Sequence, residues 1–487
     1  MKRPNLLFIY TDEQAINTLA AYGNLQIQMP NLNQLADESV VFEQAYVTQP
    51  VCTPSRSSLL TGLYPHTSGC TENNVPLRPD VCCLPEMLSQ EEYVTGHFGK
   101  WHLGDELFKQ HGFDEWVSIE DAYNRYFSKG RDWTATSTYH DFLIGNGLSS
   151  QNGRCFGRSE AARLPEKLGK PAFLAGKAAE FIHLHRDQSF VLYVNFLEPH
   201  MPFFGPRDNQ HPIDTIPLPP NFENEPSDAQ PTKTRLLKEH YSRHGHSGLS
   251  LRTEGDWRRM IANYWGLCSL VDTHIGTILD TLDACELRET TIVVFTSDHG
   301  DMMSSHRLLA KCVMFQEAIR VPMMIRLPGQ RCGKRVAGPV SQIDVVPTLL
   351  ELLGQRSPDH LQGRSWRSLL ESRTATVDEP VFVEWNGPNN GLGDVTDSVQ
   401  IPDWMKDIAD PKLIRAATTD PVRTVITSDG WKFNCSPLGE HELYNLVDDP
   451  YETRNVFKEN RKHARELQDK IRAWQDRTGD VVPLPDL

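Results

Sequence analysis

Three short apolar runs constrain this chain most. Asn5 to Tyr10 (NLLFIY), Phe190 to Phe196 (FVLYVNF) and Thr291 to Thr296 (TIVVFT) contain no charged residue and are rich in β-branched and aromatic side chains. Runs of this length that do not alternate with polar residues predict strands buried on both faces, as in a parallel sheet. Each run leads into residues that can bind a cation or move a proton. Thr11-Asp12-Glu13 follows the first, Glu198-Pro199-His200 the second, and Ser297-Asp298-His299-Gly300 the third.

Helical patterns lie between the runs. Pro30 to Val41 places Leu32, Leu35 and Ala36 on one face, Asn263 to Cys285 repeats apolar residues at helical spacing, and Ile343 to Leu353 is closed by Gly354. Strands alternating with helices predict an α/β fold with a large mixed, mostly parallel sheet. After about residue 370 the texture changes. Val381 to Glu384 and Arg423 to Thr427 predict short strands, Trp431-Lys432-Phe433 follows the turn Ser428-Asp429-Gly430, and a charged helix over about Glu459 to Thr478 closes the chain. The expected organisation is a catalytic α/β domain over 1–375 and a C-terminal α+β subdomain over 376–487, with a mobile Gly/Asn-rich loop at Asn386 to Asp397.

A net charge of -15 repels polyanions at long range and excludes a general nucleic-acid binder. An anionic substrate then needs a local cationic pocket. The ten cysteines form no CxxC pair, which argues against a zinc ribbon and predicts reduced, buried thiols. No signal peptide is visible and no apolar stretch approaches the ~20 residues of a membrane span, so the expected location is cytoplasmic, or periplasmic or secreted if a leader was removed.

Sites in open α/β sheets form at the carboxyl ends of strands. Three strands ending in Asp12-Glu13, His200 and Asp298-His299 predict a metal site for a hard divalent cation. In Val51-Cys52-Thr53-Pro54-Ser55-Arg56, Pro54 suits a first helical residue, which puts Cys52 at or just before a helix N-terminus that favours an anion. Arg56 adds a forked cation. Gly99-Lys100-Trp101-His102-Leu103-Gly104 supplies an ammonium and an imidazole, expected to face the same way on an extended segment, and Lys311 follows Asp298-His299. A tetrahedral anion is the guest such a pocket suits.

CTPSR, GKWHLG and SDHGD, with FIYTDEQ, AIRVPMMIRLPG, QIDVVPTLLELLG and ELYNLVDDPYETRNV, resemble the type I, formylglycine-dependent sulfatases over nearly the whole chain. The resemblance implies an alkaline-phosphatase-like fold, Ca²⁺, and oxidation of Cys52 to formylglycine by a maturase. It also implies that Asp12, Glu13, Asp298, His299 and the Cys52-derived group bind the metal. Arg56, Lys100 and His102 would orient the formylglycine hydrate, while His200 and Lys311 grip the sulfate. Glu13 and His299 stand where many members have Asp and Asn, which leaves Mn²⁺ open beside Ca²⁺. The implied substrate is a sulfated carbohydrate, with an aryl sulfate as surrogate, and a homo-oligomer is left open.

Taken singly, the residues allow plainer accounts. Cys52 would be a buried thiol or a thiol nucleophile, Asp12 a cap, and His200 a loop histidine. His306 would touch substrate or be a solvated loop histidine. The basic stretch Thr232 to Arg259 (Lys233, Arg235, Lys238, Arg243, Arg252, Arg258, Arg259) would be a solvated face or a polysaccharide cradle. The rival activity is a phosphonate monoester hydrolase or phosphodiesterase using the same site. A rival of another class is a catalytically silent glycan binder.

Overall fold

The computed structural model describes residues 3–487 apart from 90–91, 122–127, 225–229, 373–375, 388–390 and 397. The large sheet is built from β1 (Asn5–Asp12), β2 (Val40–Tyr46), β3 (Val94–Gly99), β4 (Glu115–Val117), β5 (Phe190–Pro199), β6 (Thr291–Ser297), β7 (Arg320–Val321), β8 (Met323–Arg326) and β9 (Lys334–Ser341). Its order is β4-β3-β5-β1-β6-β8-β2-β7, with β9 paired to β2. β4, β3, β5, β1 and β6 form one parallel block, in which Leu6 of β1 faces Val191 of β5 and Ile292 of β6. β8 turns antiparallel against β6 and β2, which makes the sheet mixed. All three apolar runs are therefore neighbours at the centre of the sheet, and their carboxyl ends open on one edge.

The helices that matter are α1 (Cys52–Thr61), α2 (Lys170–Leu184), α3 (Thr232–His244), α4 (Glu254–Ala284), α5 (Val345–Leu352) and α6 (Arg461–Thr478). Strand alternation sends Leu7 and Ile9 to one face, against Phe173 and Leu174 of α2 and Val271 and Ile275 of α4. Leu6, Phe8 and Tyr10 point the other way, against Leu59 and Leu60 of α1 and Val346 and Leu349 of α5. Each such buried side chain contributes about 1.5–3 kcal/mol. α4 starts earlier than its apolar periodicity indicates. A capping box, with Thr253 Oγ accepting from Asp256 N (3.2 Å) and Asp256 accepting from Thr253 N (2.9 Å), fixes the start.

β10 (Val381–Glu384), β11 (Arg423–Ile426), β12 (Trp431–Cys435) and β13 (Glu442–Asn445) form an antiparallel four-stranded sheet at the C-terminus. Val425, Phe433 and Leu443 pack there on Leu467, Ile471 and Trp474 of α6. The expected boundary at 375 falls on residues outside those described. The Asn386 to Asp397 segment is partly outside them too, at 388–390 and 397. Leu392 and Val395 are buried, and Asn386 Nδ2 donates to Gln49 (2.8 Å). All ten cysteines are free, though Cys82 and Cys332 are exposed rather than buried. Among the described residues no helix is long and apolar enough to cross a membrane.

Candidate active site

Four strands deliver the site. Asp12 ends β1, His200 follows β5, Asp298 follows β6, and Lys100 follows β3. Gly99 makes the last exit possible. Its φ is +117°, and a side chain there would meet the Asn195 carbonyl oxygen at 2.0 Å. Across the edge stands α1, with Cys52 as its first residue and Val51 as an extended N-cap. The helix thus begins two residues before Pro54, and the thiol sits at its electropositive end.

Asp12, Cys52, Asp298 and His299 bring one ligand atom each to within 4.8 Å of the others, and all four are buried. Cys52 Sγ lies 3.2 Å from His299 Nε2 and 3.6 Å from Asp12 Oδ1. His299 Nδ1 donates to the Gly300 carbonyl (2.9 Å), which fixes the tautomer and turns the Nε2 lone pair into the cluster. Arg56 lies behind. It donates from Nε to Asp298 (2.8 Å), from Nη2 to Asp12 (2.9 Å) and from Nη1 to the Lys100 carbonyl (2.7 Å). Lys100 Nζ also pairs with Asp12. Burial alone would raise the Asp12 pKa, but Lys100, His200 and Arg56 outweigh it and hold this carboxyl well below the usual range.

Glu13 forms an adjoining group with Asp12 and His200. It turns away at φ +68°, and its Oε2 accepts from Lys311 Nζ (3.0 Å) with His200 Nε2 at 3.4 Å. Burial pushes Glu13 up to about 8. The five expected ligands thus fall into two adjoining groups, Asp12, Cys52, Asp298 and His299 in one and Glu13 with Asp12 and His200 in the other. His200 Nδ1 donates to the Met201 carbonyl (2.8 Å), so its Nε2 is the atom presented to the site.

Residues 4–355 match the sulfatase family, and the chain is 30% identical over 464 residues to the sulfatase YidJ of Escherichia coli K12, covering 94% of this chain and 84% of that one. This chain belongs to the sulfatase family. The family's enzymes are sulfuric ester hydrolases. This sulfatase is also 25% identical over 411 residues to an N-acetylglucosamine-6-O-sulfatase of Bacteroides thetaiotaomicron, covering 77% and 72% of the two chains. A solved structure holding D-glucosamine-2-N,6-O-disulfate as its substrate superposes with a TM-score of 0.74 at 22% identity, covering 99% of each chain. The fold is the alkaline-phosphatase-like one.

Several sequence expectations need correction. Lys100 and His102 do not share one face of an extended segment. His102 adopts φ +59°, and its Nε2 bonds Asn74 Oδ1 (3.0 Å) while Lys100 turns to Asp12. His306 is not solvated. It is buried, stacked on Phe315 (4.2 Å between ring centroids) and bonded to Asn224 (3.2 Å), and these contacts do not include the carboxylates. The basic stretch is not a bare cationic face. Lys233 Nζ lies 3.4 Å from the centre of the Trp385 ring, Arg243 pairs with Glu239, and Arg258 with Glu254 (3.3 Å).

Sequence reasoning missed Tyr10, whose hydroxyl accepts from Arg56 (3.3 Å), and Asn74, which holds His102. Neither carried a signal. Asp301 did, as the third ionisable residue in SDHGD. It is buried and its charge helps to raise Glu13.

Proposed function

We propose that this sulfatase cleaves the sulfate ester of a sulfated carbohydrate, using a formylglycine made from Cys52 and a divalent cation. The observation that carries the proposal is the buried group of Asp12, Cys52, Asp298 and His299 at the start of α1. Two carboxylates and an imidazole with its lone pair turned inward suit Ca²⁺ or, given His299, Mn²⁺. When bound, such an ion supplies Lewis-acid stabilisation of charge on oxygens beside it. A hydrated aldehyde at position 52 supplies two hydroxyls, one to accept the sulfuryl group and one whose deprotonation releases sulfate. Burial pushes the unmodified Cys52 thiol up to about 11, the opposite of what a thiolate nucleophile requires.

The remaining roles follow from the chain's own contacts. Arg56 and Lys100 fix Asp12 and Asp298 in place from behind. Burial would lower Lys311, but Cys52, Glu13, Asp12 and Asp298 outweigh it and keep an ammonium there, so it grips a sulfate oxygen. Lys311 is also the general acid for the bridging oxygen, since neutral His200, with its proton on Nδ1, offers Nε2 only as an acceptor. His102, with Nε2 donating to Asn74, keeps its lone pair on Nδ1. Burial and then Lys100 hold it neutral, as a base for the second hydroxyl requires. The sugar assignment rests on the named activity of the Bacteroides relative.

The test combines the mass of the Cys52 peptide, from protein made with a maturase, with turnover of p-nitrophenyl sulfate and a p-nitrophenyl phosphonate monoester. Aldehyde or hydrate mass with preferred sulfate turnover is expected. An unmodified thiol in active enzyme would overturn the cysteine role, and preferred phosphonate turnover would overturn the reaction.

A further inference from the structure

The catalytic edge extends two strands beyond His200. β3 lies next to β5, and β4 lies next to β3 in the same parallel direction. The chain leaving β4 therefore brings Glu120 out on the edge that holds Asp12, His200 and Asp298. Glu120 is buried with its side chain 1% exposed, and it binds two cations from later segments. Arg158 Nε donates to it at 2.7 Å, and Lys170 Nζ, from the first residue of α2, pairs with its other oxygen. Burial would raise Glu120, but Arg158 and Lys170 together hold it down at about 2.

Two cations share this one carboxylate. The Lys170 side chain is 4% exposed and that of Arg158 23%, so Arg158 is the more accessible of the two. Arg158, Lys170 and His200 line one small cavity. An arginine whose Nε is locked to a buried carboxylate is oriented in advance, which lowers the entropy lost on gripping an oxyanion.

We propose that Arg158, oriented by Glu120 and backed by Lys170, is a substrate-binding residue that takes a second oxyanion on the substrate, beside the ester to be cleaved. The inference rests on the sulfated-carbohydrate reading above and narrows it to substrates with at least two negative groups. Glu120 and Lys170 are positioning residues in this scheme.

The experiment measures inhibition of p-nitrophenyl sulfate turnover by the matured, metal-loaded enzyme. The inhibitors are glucosamine 2-N,6-O-disulfate, N-acetylglucosamine 6-sulfate and, as the carboxylate arm, a uronic acid monosulfate. The wild type should bind one of the two dianions about tenfold or more tightly than the monoanion, the worth of one charge-assisted contact. R158Q should reduce that preference to about threefold or less, and E120Q should reduce it in part. R158K, which keeps the charge but loses the fork, should fall between wild type and R158Q. No preference in the wild type, or an undiminished preference in R158Q, would overturn the inference. So would equal weakening of all three inhibitors together with a lower Tm, the mark of a purely structural arginine. Failure to hydrolyse p-nitrophenyl sulfate at all would instead count against the sulfatase reaction itself.

Discussion

Two buried arginines sit between pairs of carboxylates, one on α1 at the edge of the large sheet and one in the small sheet. Arg56 joins Asp12 and Asp298 at the catalytic edge, and Arg423 joins Asp480 and Glu384 beside the small sheet. Each constellation also has a histidine, His299 in one and His66 in the other. The difference lies in what the carboxylates do next. Asp480 takes both Arg423 nitrogens (2.6 and 2.9 Å) and Gln475 (2.7 Å), while Glu384 takes His66 and Asn386 (3.2 Å each). That group is closed. Asp12 Oδ1, by contrast, faces Cys52 Sγ and His299 Nε2 at 3.6 and 3.7 Å, a weak donor and a nitrogen whose lone pair points inward. Closure by hydrogen bonds makes a structural clamp. Convergence of lone pairs makes a place for a cation.

The strongest challenge to this contrast is Cys52→Ala. Turnover should fall by about 10⁴-fold or more with Tm little changed, as loss of a reacting group does. Substantial residual activity would remove the proposed modified cysteine. Metal content sharpens the comparison directly. D298N should lose the bound divalent ion as measured by elemental analysis, whereas D480N should keep it; equal loss from both would erase the distinction between clamp and metal site.

Arg423→Ala should destabilise the fold by roughly 3–5 kcal/mol, because it leaves buried carboxylates unpaired. Specific activity per folded molecule should stay near wild type, read from denaturant unfolding and active-site titration. Smaller still is the pH effect of His66. Burial would lower its pKa, but Glu384 outweighs burial and raises it. A raised folded pKa gives stability that is complete below the unfolded value of about 6.5 and is lost as pH rises through the folded value. Tm should therefore decline as pH rises above about 6.5, and H66Q should flatten that slope. Least of all, Arg243→Ala removes an exposed pair on α3 and should cost under about 0.5 kcal/mol, with no change in turnover. A larger loss would revive a role for that face in substrate binding.

The sequence by itself determined the central strands, the edge on which their polar ends open, and the types of residue gathered there. Asn5 to Tyr10, Phe190 to Phe196 and Thr291 to Thr296 became β1, β5 and β6 because continuous apolarity over a strand's length is a local property. The start of α1 was legible from Cys52-Thr53-Pro54-Ser55-Arg56 for the same reason. Only the tertiary structure decided who partners whom. It placed Arg56 behind Asp12 and Asp298 and sent Glu13 to Lys311. It turned His102 toward Asn74 and drew Lys233 under Trp385. It also joined Glu120 to Arg158 and Lys170, across sequence separations of 38 and 50 residues. Strand order sets those meetings. A charged residue's neighbours in a buried site are fixed by which strand ends lie side by side, and local periodicity carries no record of that.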